Sequence, residues 1–202
     1  MELELESFYP RGVFVGKKSA SASAAEVGAK KKYAFIDDDG RVKIRGFELV
    51  RRDWSRVARH TQRRVLEAIL KEGSKEKAAE IVRTVISDLR EGKTPLEDCA
   101  VYTQIRKRLE SYAITSPEVA AAQKALAAGI PVEVGTLIGY VITKKGKSIS
   151  EKSQPIELAK DYDADYYIEH QVLPAVLKIM KELGYDESDL KNEGKQSKLG
   201  SW

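Results

Sequence analysis

Three groups of basic residues, each near an aromatic side chain, are the part of this 202-residue sequence best suited to bind a polyanion. The cations are Lys30, Lys31, Lys32, Arg51, Arg52, Arg106, Lys107 and Arg108, and Tyr33 directly follows the first group. Residues 30–64 hold twelve Lys or Arg against five acids, a net charge of +7 by subtraction, whereas the whole chain carries +4. Such a local excess of positive charge is typical of a surface that contacts phosphates. A solvated helix face is the alternative interpretation.

The acidic clusters do not match a metal site. The three carboxylates of residues 37–39 are consecutive, and neighbouring side chains of an extended chain point to opposite faces, so they cannot converge on one ion. They predict a solvated turn instead. Residues 161, 163 and 165 are aspartates with the spacing that opens an EF-hand loop. Tyr166 then stands where that loop needs glycine, and Val172 where it needs glutamate, which excludes a calcium site.

The remaining reactive side chains do not form an active site. Two histidines, His60 and His170, and one cysteine, Cys99, are too few for a zinc site or an internal disulfide. No glycine-rich loop with a phosphate-binding pattern is present. The sequence therefore predicts no catalytic residue, no metal site and no cofactor on this chain. It predicts surface or helix-packing positions for the two histidines and a structural role for the thiol.

Composition indicates a folded protein outside the membrane. Hydrophobic residues make up 42% of the chain, which is enough for a core, and no apolar run approaches the length of a membrane span. The first ten residues are acidic and lack the basic start and apolar centre of a signal peptide. A cytoplasmic location is expected.

The elements that must position the cations begin with a small sheet. Residues 2–15 predict two short strands joined by a turn at residues 10–12, and the small, nearly uncharged residues 19–29 predict a mobile insert. Residues 32–36 and 41–48 predict a hairpin with its turn at residues 37–40. A sheet of this size is too small to be stable alone.

After this sheet the apolar spacing becomes helical. Asp53 is a candidate cap for the first helix, with Trp54 in the core, and Ser74 and Ser116 are candidate caps for the next two. Helices are predicted at residues 54–73, 74–92, 116–128 and 162–184, strands at 100–105 and 135–143, and a last turn at 186–190. The fold class is α+β, because a small antiparallel sheet is followed by a mostly helical part that contains two further short strands.

The helix at residues 162–184 has the widest apolar stripe of the sequence. Asp163 is its candidate N-cap, and Gly184 is well placed to end it. Pro174 lies in the interior, where proline removes a backbone hydrogen bond. A kink near His170 is therefore expected.

Five blocks of the sequence resemble, in the same order, the C-terminal part of an archaeal family B DNA polymerase. They are ELELESFYPRGVFV (residues 2–15), KKKYAFIDDDG (30–40), RGFELVRRDWS (45–55), VYTQIRKRLESY (101–112) and YDADYYIEHQVLPAVLKIMKELGY (162–185), and the tail KQSKLGSW (195–202) also resembles the family. Lys30, Lys31 and Tyr33 fall on the family's KKxY motif. The insert departs from the family pattern, which makes Lys17 and Lys18 a second candidate pair, and Lys107 stands where relatives often have arginine.

This resemblance implies a division into two parts. Residues 1–50 would be the C-terminal part of a palm domain, with its antiparallel palm-type sheet and the flexible insert at 19–29. Residues 51–202 would be a mostly helical thumb domain with a short strand pair. The family's exonuclease domain, fingers helix and both catalytic aspartates correspond to sequence before Met1.

The resemblance also implies a function. The chain would be the small subunit of a naturally split polymerase, a nucleotidyltransferase that works in DNA replication or repair, with the exonuclease, fingers and catalytic palm on a large partner subunit. That subunit would hold the magnesium ions. This chain would grip primer–template duplex DNA through Lys30, Lys31, Lys32, Tyr33, Arg51, Arg52, Arg106, Lys107 and Arg108. A sliding clamp is a further candidate partner.

Three alternatives remain open at the level of sequence. The chain is also compatible with a shortened form of a whole polymerase. A second alternative is a stand-alone, thumb-derived module that binds duplex DNA without a polymerase partner. The third is a structural helical protein whose basic face only keeps it in solution.

Overall fold

A computed structural model describes residues 8–15 and 32–192 of the chain. The predicted insert at 19–29, the first predicted strand, the lysines at 17, 18, 30 and 31, and the tail lie outside the described residues. Among the helices of the described part, none has the length and apolar character that crossing a bilayer requires.

The first sheet has three antiparallel strands, β1 (Arg11–Phe14), β2 (Tyr33–Ile36) and β3 (Val42–Arg45), in the order β1-β2-β3. Ala34 and Ile36 are buried, whereas the alternate residues of β2 face outward, as the period of a strand requires. The β2–β3 hairpin was predicted, and its turn is closed by the Gly40 N–H, which donates to the Asp37 carbonyl at 3.0 Å. The turn predicted at residues 10–12 is wrong. Residues 11 and 12 are already paired with β2, and a side chain larger than that of Gly12 would meet the Phe35 ring.

Two long helices follow a 3₁₀ turn (Glu48–Val50). The first, α1 (Arg56–Glu67), begins at Ser55, whose hydroxyl accepts from the Ala58 N–H at 3.4 Å, so Asp53 is not the cap that the sequence predicted. A π-helical turn (Ala68–Glu72) continues α1 to Gly73, where φ is +67°. The second helix, α2 (Lys75–Arg90), is capped by Ser74 as predicted.

The short helix α3 (Leu96–Cys99) leads into the second sheet. Cys99 is fully buried, and burial raises the pKa of its thiol to about 12, which suits the structural role predicted for it. The helix therefore ends inside the core.

The second sheet contains β4 (Val101–Gln104), β5 (Leu137–Ile142) and β6 (Ser153–Pro155), antiparallel and in that order. The helix α4 (Pro117–Ala127) packs on it, and α5 (Ile149–Lys152) precedes β6. Both strands of the β4–β5 pair were predicted from the sequence, at residues 100–105 and 135–143, and the family resemblance implied a short strand pair. The third strand was missed because three residues that end in proline show no alternation. The α+β class is confirmed.

The C-terminal helical segment consists of α6 (Ala164–Tyr167), a π-helical turn (Ile168–Val172) and α7 (Leu173–Glu182), followed by α8 (Glu187–Lys191). Asp163 is the N-cap, as predicted, and accepts from the Tyr166 N–H at 3.2 Å. The irregularity expected near His170 is the π turn, which widens the helix one turn before Pro174. A proline ring clashes with the carbonyl four residues earlier in a regular helix, and a π turn relieves that clash.

One buried cluster joins the first sheet to the helices. It includes Ala34 and Ile36 of β2, Leu66 of α1 and Met180 of α7. Polar contacts reinforce it, because the buried hydroxyl of Tyr167 accepts from the Ile142 N–H of β5 at 3.0 Å. The domain boundary between residues 50 and 51 stays a prediction.

Candidate nucleic-acid interface

The turn after β4 presents three cations on a fixed backbone; we call Arg106, Lys107 and Arg108 the basic turn. Ile105, just before it, is buried and donates its N–H to the Thr136 carbonyl at 2.9 Å. All three side chains of the basic turn are exposed, and none forms an ion pair with a described residue. Exposed cations that no described acid neutralises are free to contact phosphate oxygens.

Tyr112 holds this backbone in place. Its hydroxyl accepts from the N–H of Arg106 at 3.0 Å and from the N–H of Lys107 at 3.3 Å. The Lys107 ammonium lies 5.9 Å from the centre of the Tyr112 ring. The 3₁₀ turn at Leu109–Ser111 brings the ring back to the basic turn.

Replacing Tyr112 with phenylalanine is expected to weaken duplex binding about fivefold while the fold persists. The change keeps the ring and removes the acceptor, and a hydrogen bond of this kind contributes about 1 kcal/mol. A salt titration of duplex affinity should show the same slope as the unaltered chain, because no cation is lost. A changed slope would contradict a positioning role for the hydroxyl.

Arg51 and Arg52 lie in the segment between the 3₁₀ turn and α1, and both are exposed. The Nε of Arg51 donates to Asp53 Oδ1 at 3.0 Å, so part of its charge is already balanced. Arg52 has no ion pair or hydrogen bond to any described residue. Trp54 packs against the buried cluster, as predicted. Of this group, Arg52 is the cation available to a ligand.

Lys32 is held inside the protein by an ion pair with Glu48. Glu48 is 9% exposed and its second oxygen accepts from Gln62 Nε2 at 2.8 Å. Burial by itself raises the pKa of Glu48, but the hydrogen bonds from Lys32 and Gln62 outweigh it, so the pKa lies below its ordinary value. Lys32 therefore has a structural partner that the sequence did not reveal, and its contact with DNA stays a prediction.

The outer face of the first sheet carries aromatic rings, and Tyr33 is the one for which the sequence predicted a role. Tyr33 and Phe35 lie 5.0 Å apart between ring centres, and Phe14 meets Phe35 edge-on at 5.2 Å. Lys43 and Arg45 of β3 point to the same face, because they alternate with the inward Val42 and Ile44. The two-residue period of β2 and β3 was the signal that could have found this surface.

Of the three basic groups, the structure describes Lys32 and Tyr33 at the first sheet, Arg51 and Arg52 before α1, and the basic turn after β4. No hydrogen bond, ion pair or ring contact between these described residues joins one group to another. The DNA contacts of each group stay predictions. Within the same residues, no three His, Cys, Asp or Glu side chains come close enough to hold a metal ion.

Comparison with known proteins gives one consistent result. A family model described as DNA polymerase family B matches residues 2–183. The DNA polymerase of Methanocaldococcus jannaschii is 48% identical over 201 residues, which are 98% of this chain and 12% of that protein. The DNA polymerase of Thermococcus litoralis is 44% identical over 207 residues, covering 100% of this chain and 11% of that protein.

A solved structure agrees with the sequence comparison. The family B DNA polymerase of Pyrobaculum calidifontis superposes with a TM-score of 0.74 at 34% identity, and the match covers 91% of this chain and 23% of that one. The chain thus spans about an eighth of the length of the two relatives named above and about a quarter of this one.

Proposed function

This chain belongs to DNA polymerase family B, and from that membership we propose that it is the DNA-binding small subunit of a split polymerase. It would complete the palm sheet and grip the primer–template duplex behind the active site. The observation that carries the proposal is the basic turn, whose three exposed cations stand on a backbone fixed by Tyr112. Contacts of this kind are to the DNA backbone and are independent of base sequence.

The chemistry belongs, in this proposal, to the partner. Phosphoryl transfer in polymerases uses two metal ions that stabilise the attacking and leaving oxygens. The carboxylates that hold them would lie on the large subunit. The described residues of this chain would position the duplex, so that the primer end lies next to those carboxylates.

The first sheet supports assembly with a large subunit. Phe8 and Phe14 are 65% and 62% exposed, and large exposed aromatic surfaces commonly mark interaction sites. Among the described strands, β1 and β3 each pair on one side only, so both offer an edge to which a partner's strand can add. This surface suits the palm of a second chain.

Primer extension with separated chains tests the proposal. The full 202-residue chain is added to a family B polymerase fragment that carries the exonuclease, fingers and catalytic palm. We expect co-elution of the two chains and a large gain in extension. Phe14→Ser should abolish co-elution, whereas Ile114→Ser, at a residue 79% exposed outside the first sheet, should not.

Three outcomes separate the alternatives. If the chain stays monomeric with the fragment present, the split-subunit proposal is wrong. If it then still binds duplex DNA with a steep salt dependence, it is a stand-alone binding module. If it binds no duplex, its basic residues serve only solubility.

A further inference from the structure

The exposed face of α1 carries a row of positive charge that lies outside the three basic groups. Arg56, Arg59, His60 and Arg63 are spaced i, i+3, i+4 and i+7, so they share one face of the helix; we call them the α1 stripe. The opposite face packs in the buried cluster through residues such as Leu66. The stripe is therefore held on a rigid support.

Most of this charge has no internal partner. Arg56 Nε lies 3.3 Å from Asp98 Oδ1, which is the one ion pair of the stripe among the described residues. Arg63 is exposed and has no partner there. The Nε of Arg59 is buried and has no hydrogen-bond acceptor. A buried donor without an acceptor costs free energy, so the position of the Arg59 guanidinium is not explained by contacts within the described residues.

His60 lies among the positive charges of the stripe. Burial lowers the pKa of His60, and the charges of the neighbouring arginines lower it further, against the opposing effect of Asp98. Glu67, at the end of α1, is the only acid on the helix. An anion is the ligand that this field attracts.

We propose that the α1 stripe is a second phosphate-binding surface, which takes the sugar–phosphate backbone of a nucleic acid. Residues 56–63 span about 10 Å at 1.5 Å per residue, which is roughly three nucleotides of one strand at 3.4 Å each. Arginine suits this role because its planar fork can bind two phosphate oxygens at once. The inference rests on the proposed DNA-binding function and adds to it a surface on α1.

A protein partner fits this face less well than a nucleic acid. None of the large exposed apolar residues among the described ones lies on α1. The centre of a protein interface is normally apolar or aromatic and depleted in charge, whereas nucleic-acid interfaces are polar and strongly positive. A face made of arginines and a histidine therefore resembles a nucleic-acid interface.

Salt titration of duplex binding by the full chain tests the inference. The double substitution Arg59→Gln and Arg63→Gln should flatten the dependence of log affinity on log salt by about 1.8, since each neutralised phosphate contributes about 0.9. The matched control, Lys178→Gln with Lys181→Gln, removes two exposed charges from α7 and should leave the slope unchanged. Because Arg59 is partly buried, Arg63→Gln alone is measured too and should flatten the slope by about 0.9.

Each outcome decides the matter. Flattening in the α1 variants but not in the α7 control supports the inference. An unaltered slope in both α1 variants, while the unaltered chain still binds duplex, overturns the inference and leaves the proposed function standing. Equal flattening in the control overturns it as well, because general charge then explains the effect. If the unaltered chain binds no duplex, both the inference and the proposed function are wrong. If the α1 variants lose affinity for the polymerase fragment and not for duplex DNA, the stripe is a protein contact and the inference is wrong.

Discussion

Replacing the whole basic turn with glutamine, as R106Q/K107Q/R108Q, is expected to lower the affinity for duplex DNA on the order of a hundredfold or more at ~0.1 M salt. Three lost phosphate contacts remove about 2.7 from the slope of log affinity against log salt. The fold should persist, because the three side chains are exposed and Tyr112 accepts from backbone N–H groups that the substitutions retain. The measurement is a duplex titration between about 50 and 200 mM salt, a range over which a protein with several phosphate contacts loses affinity by orders of magnitude.

A control of equal charge separates this contact from the general field of the protein. Lys71→Gln, Lys178→Gln and Lys181→Gln remove three exposed cations that have no ion pair among the described residues. Net charge alone would make the two triple variants behave alike. A slope that changes equally in both, or in neither, would refute the assignment of the basic turn. The loss should also be the same for unrelated duplex sequences, since backbone contacts carry no base information.

The helix boundaries were predictable because they depend on local chemistry. Ser74 and Asp163 cap helices as predicted, and Gly73 and Gly184 end them with positive φ, a conformation that the sequence signals by residue type alone. Two predicted caps differ from the structure: Ser116 stands at the N-cap of α4 but its side chain accepts no capping hydrogen bond, and α1 is capped by Ser55. Asp53 has the right side chain, but it is engaged with Arg51, and the chain reaches helical geometry only after Ser55.

The availability of each cation was not predictable, because it depends on contacts distant in sequence. The sequence does not distinguish Lys32 from Arg52 as exposed cations. In the structure, Lys32 is paired with Glu48 sixteen residues away, whereas Arg52 has no partner among the described residues. That pairing exists only because the hairpin and the 3₁₀ turn bring the two side chains together. The aromatic face of the first sheet was missed for the same reason, since it forms only when Phe14 aligns with Tyr33 across two strands.

The same contrast explains why the three basic groups differ in what they can do. A cation that neutralises a buried carboxylate stabilises the fold and is lost to a ligand, whereas an exposed cation on a rigid backbone is kept for one. Lys32 is a cation of the first kind, and the three cations of the basic turn are exposed, as the second kind requires. The net charge near residue 32 therefore counts a cation, Lys32, that is already paired and is less available to DNA than an unpaired one.

Of the substitutions considered, the one that disrupts the buried hydrogen bonds of Gln62 should destabilise the fold most. Its amide nitrogen donates to Glu48 Oε2 at 2.8 Å and to the Ala175 carbonyl at 2.5 Å, and its oxygen accepts from the Leu49 N–H at 2.9 Å. Gln62→Leu keeps the volume and removes all three bonds, which leaves a buried carboxylate short of a donor. We expect the free energy of unfolding at neutral pH to fall by about 3 kcal/mol. Chemical denaturation measures it, and Gln123→Leu at an exposed position should change little.

The difference in the free energy of unfolding between the unaltered chain and Gln62→Leu should become smaller at acidic pH. The pKa of Glu48 in the folded protein lies below its ordinary value, so its charged form contributes stability above the unfolded pKa, and that contribution is lost as pH falls through the folded pKa. Once Glu48 is protonated, the amide donor of Gln62 no longer compensates a charge. The gap between the unaltered chain and Gln62→Leu should therefore shrink as pH falls below the ordinary carboxyl range near 4. A gap that is constant with pH would show that Gln62 stabilises the fold through its bonds to Leu49 and Ala175 alone.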